Sequence, residues 1–206
     1  MKVIHPSATT LLDIGAGTGL LSLMIAQKMF LETDAVEIDP ESSLEASLNF
    51  GNSPWSKRLR LHCNPIQEFV PPEGRKYDLI ICNPPFFSNS LTSPEQKKNL
   101  SKHENNLSID ALLSIIFSLL KDDGFAFLLL PSSRDTFESI ASEAGLHLHK
   151  CMKVQQTPNH RPFRSMYCLG KQKPATVLQE NIIIKNETNG YSDEFKILLK
   201  PYYLAL

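Results

Sequence analysis

Long apolar runs are missing from these 206 residues, and nothing approaches the roughly 18–20 needed to span a bilayer, so no membrane partner is expected. Cysteine is sparse. Cys63, Cys82, Cys151 and Cys168 are scattered, with no CxxC pair among them, which excludes a disulfide framework and suggests the reduced thiols of a cytoplasmic protein. The opening Met1-Lys2-Val3-Ile4-His5-Pro6 has no apolar h-region of a secretory signal. There is no internal repeat, low-complexity tract or long linker. No GxSxG or paired-carboxylate arrangement suggests hydrolysis. What remains is a chain with 42% apolar and 21% charged residues, of a length that suits one globular domain.

Acid is also missing locally. Residues 144–179 contain none, yet carry Lys150, Lys153, Arg161, Arg164, Lys171 and Lys173. Residues 1–56 hold seven acids against Lys2 and Lys28, so a net charge of −1 hides a basic block able to attract a polyanion. A solvated basic surface would read the same way, so the block alone does not assign nucleic acid binding.

Short apolar runs alternate with helical patterns, the signature of βαβ units on a mainly parallel sheet. Strands are expected at Thr9–Ile14, Thr33–Ile38, Leu59–Cys63, Tyr77–Cys82, Phe125–Leu130, Leu146–Val154 and Ser165–Lys171. Helical spacing follows the first glycine turn, and Asp39-Pro40 opens a second helix with Asp39 as its N-cap. Ile109, Leu112, Leu113, Ile116 and Leu120 form an amphipathic helix, and Ser133–Ala144 another. A strand near Val177–Ile184 and a helix near Asp193–Leu199 complete the chain. The polar stretch Ser88–Asn106 is too long for a plain connector, and loops of that length are usually functional or disordered.

Asp13-Ile14-Gly15-Ala16-Gly17-Thr18-Gly19 lies between a strand and a helix, where glycines permit a tight turn and close approach of a ligand. The spacing is GxGxG rather than the GxGxxG of dinucleotide sites, and a plain strand-to-helix turn also fits it. Glu37 ends the next strand, about 20 residues on, placed to accept from the ribose hydroxyls of an adenosine, with Ile38 beside it for the adenine face. Asn83-Pro84-Pro85-Phe86 follows a buried strand directly. Its prolines stiffen the turn and remove N–H donors, so the Asn83 side-chain oxygen and the Pro84 carbonyl can both accept from one planar amino group, with Phe86 stacking on the ring that carries it.

In this order, DIGAGTG, VEID and NPPF resemble a class I S-adenosylmethionine-dependent methyltransferase acting on exocyclic or amide nitrogens. LLDIGAGTGLLSLMIAQ, AVEIDPES, SPWSKRL, YDLIICNPPFF, DGFAFLLLP and PYYLAL together resemble the bacterial tRNA(Val) adenine-N6-methyltransferase family, over almost the whole chain. The resemblance implies a Rossmann-like α/β fold with a seven-stranded mostly parallel sheet and helices on both faces. It spans a single domain over 1–206, with 175–206 as a C-terminal strand-helix extension. It implies S-adenosylmethionine as cofactor and tRNA as partner, methylated at the adenine beside the anticodon, position 37. Asp13, Gly15, Gly17 and Gly19 would hold the methionine part of the cofactor, Glu37 its ribose, and Asn83, Pro84 and Phe86 the target adenine. No metal is expected, because the sulfonium is already a good leaving group.

Two departures stand out. Many members place an Asp just after the third strand to contact the cofactor's amino group, whereas here Asn64 stands there, its amide oxygen the substitute. Members also carry an N-terminal segment covering the cofactor, which is short or missing here, so weakened cofactor binding is expected if that cover is absent. NPPF also occurs in guanine-N2 and glutamine-N5 methyltransferases, and an RNA-binding remnant without activity is the non-enzymatic alternative. Phe163 and Tyr167, interleaved with Arg161 and Arg164, suit either base stacking or the core. His147, His149 and Cys151 alternate on one expected strand, which by itself is a weak metal-ligand pattern.

Overall fold

β1 (Thr10–Ile14) is almost wholly buried, as befits a strand covered on both faces, and it lies within the sheet between two parallel neighbours. The computed structural model describes residues 7–84, 107–132 and 136–203. On one side β1 pairs in parallel with β2 (Glu32–Glu37), which pairs with β3 (Leu59–Cys63). On the other side it pairs in parallel with β4 (Tyr77–Cys82), and β4 with β5 (Leu120–Pro131). β7 (Arg164–Gly170) is antiparallel to both β5 and β6 (His147–Gln155), and β8 (Leu178–Ile183) is parallel to β6. The order is β3-β2-β1-β4-β5-β7-β6-β8. The expected α/β sheet is therefore present, but with eight strands rather than seven, because the 175–206 extension adds β8 at the outer edge of β6.

Alternation along the strands separates two layers. Leu11 and Leu79 meet Ile25 from α1 (Leu20–Ala26) and Met29 just beyond it on one face. α2 (Pro40–Gly51) joins it there, with Phe50 packed against Ala26, Ala35 and Leu59. Leu12, Ile80, Ala126 and Leu128 meet α3 (Ile109–Leu119) and α4 (Phe137–Glu143) on the other face. Each such buried leucine or isoleucine contributes about 1.5–3 kcal/mol. α5 (Asp193–Leu199) follows β8, and just beyond it the Tyr202 hydroxyl and the Pro201 carbonyl reach Met24 and Gln27 at the end of α1. Among the described residues no helix is long and apolar enough to cross a membrane.

The expected alternation of His147, His149 and Cys151 fails. A bulge between Leu148 and Lys150 inserts an extra residue into β6, so Leu148 and Cys151, three apart, share one core cluster. His149 Nε2 instead meets the Gln172 carbonyl at 2.7 Å. Among the described residues no three His, Cys, Asp or Glu side chains gather as a metal cluster would require. Tyr167 is buried against Phe137, with ring centroids 4.4 Å apart, which assigns it to the core, while Phe163 is 42% exposed just ahead of β7.

Candidate active site

The strand order reverses between β1 and β4, and in open α/β sheets ligands bind outside the carboxyl ends of the strands at such a switch point. The register aligns those ends. Ile14 lies opposite both Val36 and Cys82, Glu37 opposite Cys63, and Cys82 opposite Leu128. The glycine loop, Glu37, Asn64 and Asn83 therefore emerge along one edge, with the glycine loop and the Asn83-Pro84 turn on adjacent strands.

The loop after β1 is held by backbone hydrogen bonds. Gly15 and Ala16 donate to the Val36 carbonyl at 2.9 and 3.1 Å, and Gly19 to the Ala16 carbonyl at 2.9 Å. Gly15, Gly17 and Gly19 all have positive φ, at 70°, 56° and 81°. A Cβ at Gly15 or Gly17 would meet nothing within 4 Å, whereas one at Gly19 would lie 2.4 Å from Phe50 Cε1. The first two glycines thus border open space and the third is required by packing. Asn49 of α2 secures the loop by donating Nδ2 to the Thr18 carbonyl at 2.9 Å.

Glu37 is buried at the tip of β2 and grips the loop from below. One carboxylate oxygen accepts from the Gly17 N–H at 2.7 Å, the other from the Asp39 N–H at 2.8 Å. Each oxygen retains a lone pair for a hydroxyl donor. Ile38, next in sequence, is 46% exposed, an apolar surface beside a polar site. Asp39 caps α2 through the Ser42 N–H at 2.8 Å, with Pro40 at the first helical position, as its sequence predicts.

Asp13 is the second buried carboxylate. Ser22 Oγ donates to its Oδ2 at 2.7 Å, while its Oδ1 is buried with no hydrogen-bond partner. Burial pushes its carboxyl up to about 6, the Ser22 hydrogen bonds oppose that rise, and the charge of Glu37 adds to it. An orphaned buried carboxylate oxygen beside an open glycine loop suits a cationic or N–H-bearing ligand, which a sulfonium amino acid supplies. Asn64, half-buried after β3, turns its amide nitrogen to the Pro65 carbonyl at 3.3 Å, leaving its oxygen as the acceptor.

Asn83 is exposed and Pro84 buried at the end of β4, while Phe86 lies outside the described residues, as do Lys97, Lys98, Lys102 and His103. Cys82, just before the turn, is a buried thiol whose pKa rises through desolvation and the nearby Asp13 charge, so it behaves as a small hydrophobe.

Three supporting residues had no functional signal in the sequence: Ser22, Asn49 and Arg58. Arg58, from SPWSKRL, is buried and donates to the Met29 carbonyl at 2.8 Å, the Leu31 carbonyl at 3.2 Å and the Ala26 carbonyl, closing the end of α1.

The sequence profile of the methyltransferase small domain matches residues 1–117. The tRNA1(Val) (adenine(37)-N6)-methyltransferase of Cytophaga hutchinsonii is 36% identical, over 98% of this chain and 86% of its own. The like-named enzyme of Shewanella halifaxensis is 37% identical over 97% and 86%. In fold, a glycopeptide N-methyltransferase solved with (S)-adenosyl-L-methionine superposes with a TM-score of 0.60 at 10% identity, covering 82% of this chain and 89% of that one. With a carboxyl-edge site of this kind and relatives this close over nearly its whole length, the chain belongs to the tRNA1(Val) (adenine(37)-N6)-methyltransferase family, within the methyltransferase small domain group.

Proposed function

We propose that this protein methylates N6 of an adenine in tRNA, position 37 of tRNA(Val), with S-adenosylmethionine as donor. The observation that carries the reading is the pairing, on adjacent strands at the switch point, of an open glycine loop gripped by Glu37 with an Asn-Pro turn rich in acceptors. The names of the relatives supply the substrate.

Asp13 and the backbone of Gly15, Gly17 and Gly19 hold the amino-acid part of the cofactor, Glu37 its ribose hydroxyls, Ile38 the face of its adenine and Asn64 the amino group. When bound, S-adenosylmethionine supplies an electrophilic methyl group on a sulfonium. Adenine N6 is a poor nucleophile, because its lone pair is conjugated into the ring. The Asn83 side-chain oxygen and the Pro84 carbonyl accept its two N–H bonds and favour a pyramidal nitrogen with the lone pair aimed outward. Positioning of this kind is worth up to ~7–11 kcal/mol. Asn83 is exposed, so the proton lost by nitrogen has a route to solvent. Turning an adenine out of an RNA loop costs a few kcal/mol. Stacking offsets roughly 1–3 kcal/mol of that, the part the resemblance gives to Phe86. The cytoplasm is the proposed location, and the four free cysteines suit a reducing compartment.

Labelled S-adenosylmethionine offered to bulk unmodified tRNA, DNA and protein tests the reading. Label is expected in tRNA as N6-methyladenine. Asn83→Ala is expected to lower turnover at least about 100-fold while cofactor affinity by calorimetry stays within twofold. Label in protein glutamine or in guanine would replace this reading with one of its relatives.

A further inference from the structure

The basic block of residues 144–179 divides in space. Lys171 follows β7 at the amino edge of the sheet and is ion-paired with Asp122 at 3.0 Å, and Lys150 pairs with Glu180 on β8 at 2.7 Å. Lys173 follows Lys171 on that side, whereas Lys153, Arg161 and Arg164 lie at the other edge. β7 starts where β5 and β6 end, since Arg164 is opposite both Pro131 and Val154. The turn between β6 and β7, with Lys153, Arg161, Phe163 and Arg164 in and beside it, therefore stands on the same edge as the Asn83 turn. It lies two strand spacings away, about 10 Å.

This turn is firmly mounted. The Phe163 N–H donates to the Val154 carbonyl at 3.0 Å, and its carbonyl accepts from the Ser132 N–H at 3.3 Å, tying it to both neighbouring strand ends. Within the turn Gln155 Nε2 donates to the His160 carbonyl at 2.8 Å, and Thr157 Oγ1 meets His160 Nδ1 at 2.6 Å. Yet the Phe163 ring is exposed, with the Arg164 guanidinium 5.7 Å from its centroid. Lys153 and Arg161 are exposed and make no ion pair among the described residues. A half-exposed ring outside the core clusters, on a backbone tied to two strand ends and set among cations, has the makeup of a stacking platform for unpaired nucleotides.

We infer that the β6–β7 turn docks the RNA strand carrying the target adenine. Phe163 stacks on a base near that adenine, and Lys153, Arg161 and Arg164 hold the adjoining phosphates. This inference rests on the tRNA reading above and names the surface that serves it.

Fluorescence anisotropy of an unmodified tRNA(Val) transcript, at several salt concentrations, tests it on the full chain. Phe163→Ala is expected to weaken binding at least about fivefold, with recovery in Phe163→Tyr. Lys153→Ala with Arg161→Ala should weaken it about tenfold and reduce the salt slope by one to two. Lys173→Ala, a charge loss of one toward the opposite edge and equal to that of Arg161→Ala alone, should leave tRNA binding within twofold, and S-adenosylmethionine affinity should hold in every variant. Turn variants within twofold of wild type, or Lys173→Ala as damaging as Arg161→Ala, overturn the inference while the tRNA reading stands. Loss in Phe163→Ala without recovery in Phe163→Tyr, accompanied by a lower Tm, marks a packing role and overturns it too. Wild-type protein that binds no tRNA overturns both.

Discussion

Two buried carboxylates, Asp13 and Glu37, flank one glycine loop and differ in what satisfies them. Glu37 has a backbone donor on each oxygen, whereas Asp13 has Ser22 on one and nothing on the other. Changing Glu37 to Gln would turn an amide NH₂ toward the Gly17 or Asp39 N–H, donor against donor. Glu37→Gln is therefore expected to lower stability by about 1–3 kcal/mol and to weaken cofactor binding along with it, read by urea unfolding and calorimetry. Asp13 carries a pH signature instead. Its folded value of about 6 lies above the unfolded value of about 3.9. Its contribution thus favours the fold below about pH 4 and is lost as pH rises through 6. A cationic ligand prefers the ionised form, so S-adenosylmethionine affinity should climb as pH rises through about 6 and level off above. Calorimetry between pH 5 and 8 checks this, with Asp13→Asn expected to bind weakly and without that rise.

At the scale of elements, the glycines of one loop divide between packing and open space. Gly19→Ala places a methyl against the Phe50 ring at a positive φ, so strain of about 1–2 kcal/mol and overpacking of about 1–3 kcal/mol add together. Gly17→Ala meets open space and carries the strain alone. Thermal unfolding should show the larger Tm drop for Gly19→Ala, and calorimetry should show cofactor loss in both. Glycine spacing made the loop legible in the sequence, but nothing in the spacing told the packed glycine from the open ones, since Phe50 arrives from α2. Similar limits mark the other elements. β3, β4 and α5 have the bounds their apolar patterns and flanking turn residues predict. β5 begins five residues earlier than its apolar run, at Leu120, because a register shift beside β4 lets polar Lys-Asp-Asp join the strand. Gly124 marks the spot, since a Cβ there would lie 2.9 Å from the Tyr77 and Asp78 carbonyls. The bulge in β6 left no such mark, so its histidines read as a metal-like row. The strand-tip placement of Glu37 and of the Asn83 turn was legible, because each ends or directly follows an apolar run. Ser22, Asn49 and Arg58 were not, because each acts on backbone brought near only by folding.

Across the whole molecule, the candidate site lies at the carboxyl edge of the sheet and a knot of hydrogen bonds at the amino edge. Asp78 of β4 accepts from the Thr9 and Thr10 N–H groups, each at 2.9 Å, from Thr10 Oγ1 at 2.8 Å and from Lys121 at 2.7 Å, joining the starts of β1, β4 and β5. Burial alone would raise its pKa, but Lys121 and the threonine donors outweigh that and hold it well below the usual carboxylate range. A depressed folded value means stability present above about pH 4 and lost as pH falls into the acid range. Asp78→Asn keeps the shape but gives up the Lys121 pair and one acceptor. It is expected to lower stability at pH 7 by about 2–4 kcal/mol in urea unfolding, and to flatten the acid side of the stability curve. Because the Asp78 knot and the Asn83 turn occupy opposite ends of the same strand, turnover measured below the variant's Tm should remain within twofold of wild type. Asn83→Ala should behave the opposite way, with Tm unchanged and methyl transfer lost. A fall in turnover for folded Asp78→Asn would mean that strain at the amino end of β4 reaches the Asn83 turn, and that the two edges are not independent.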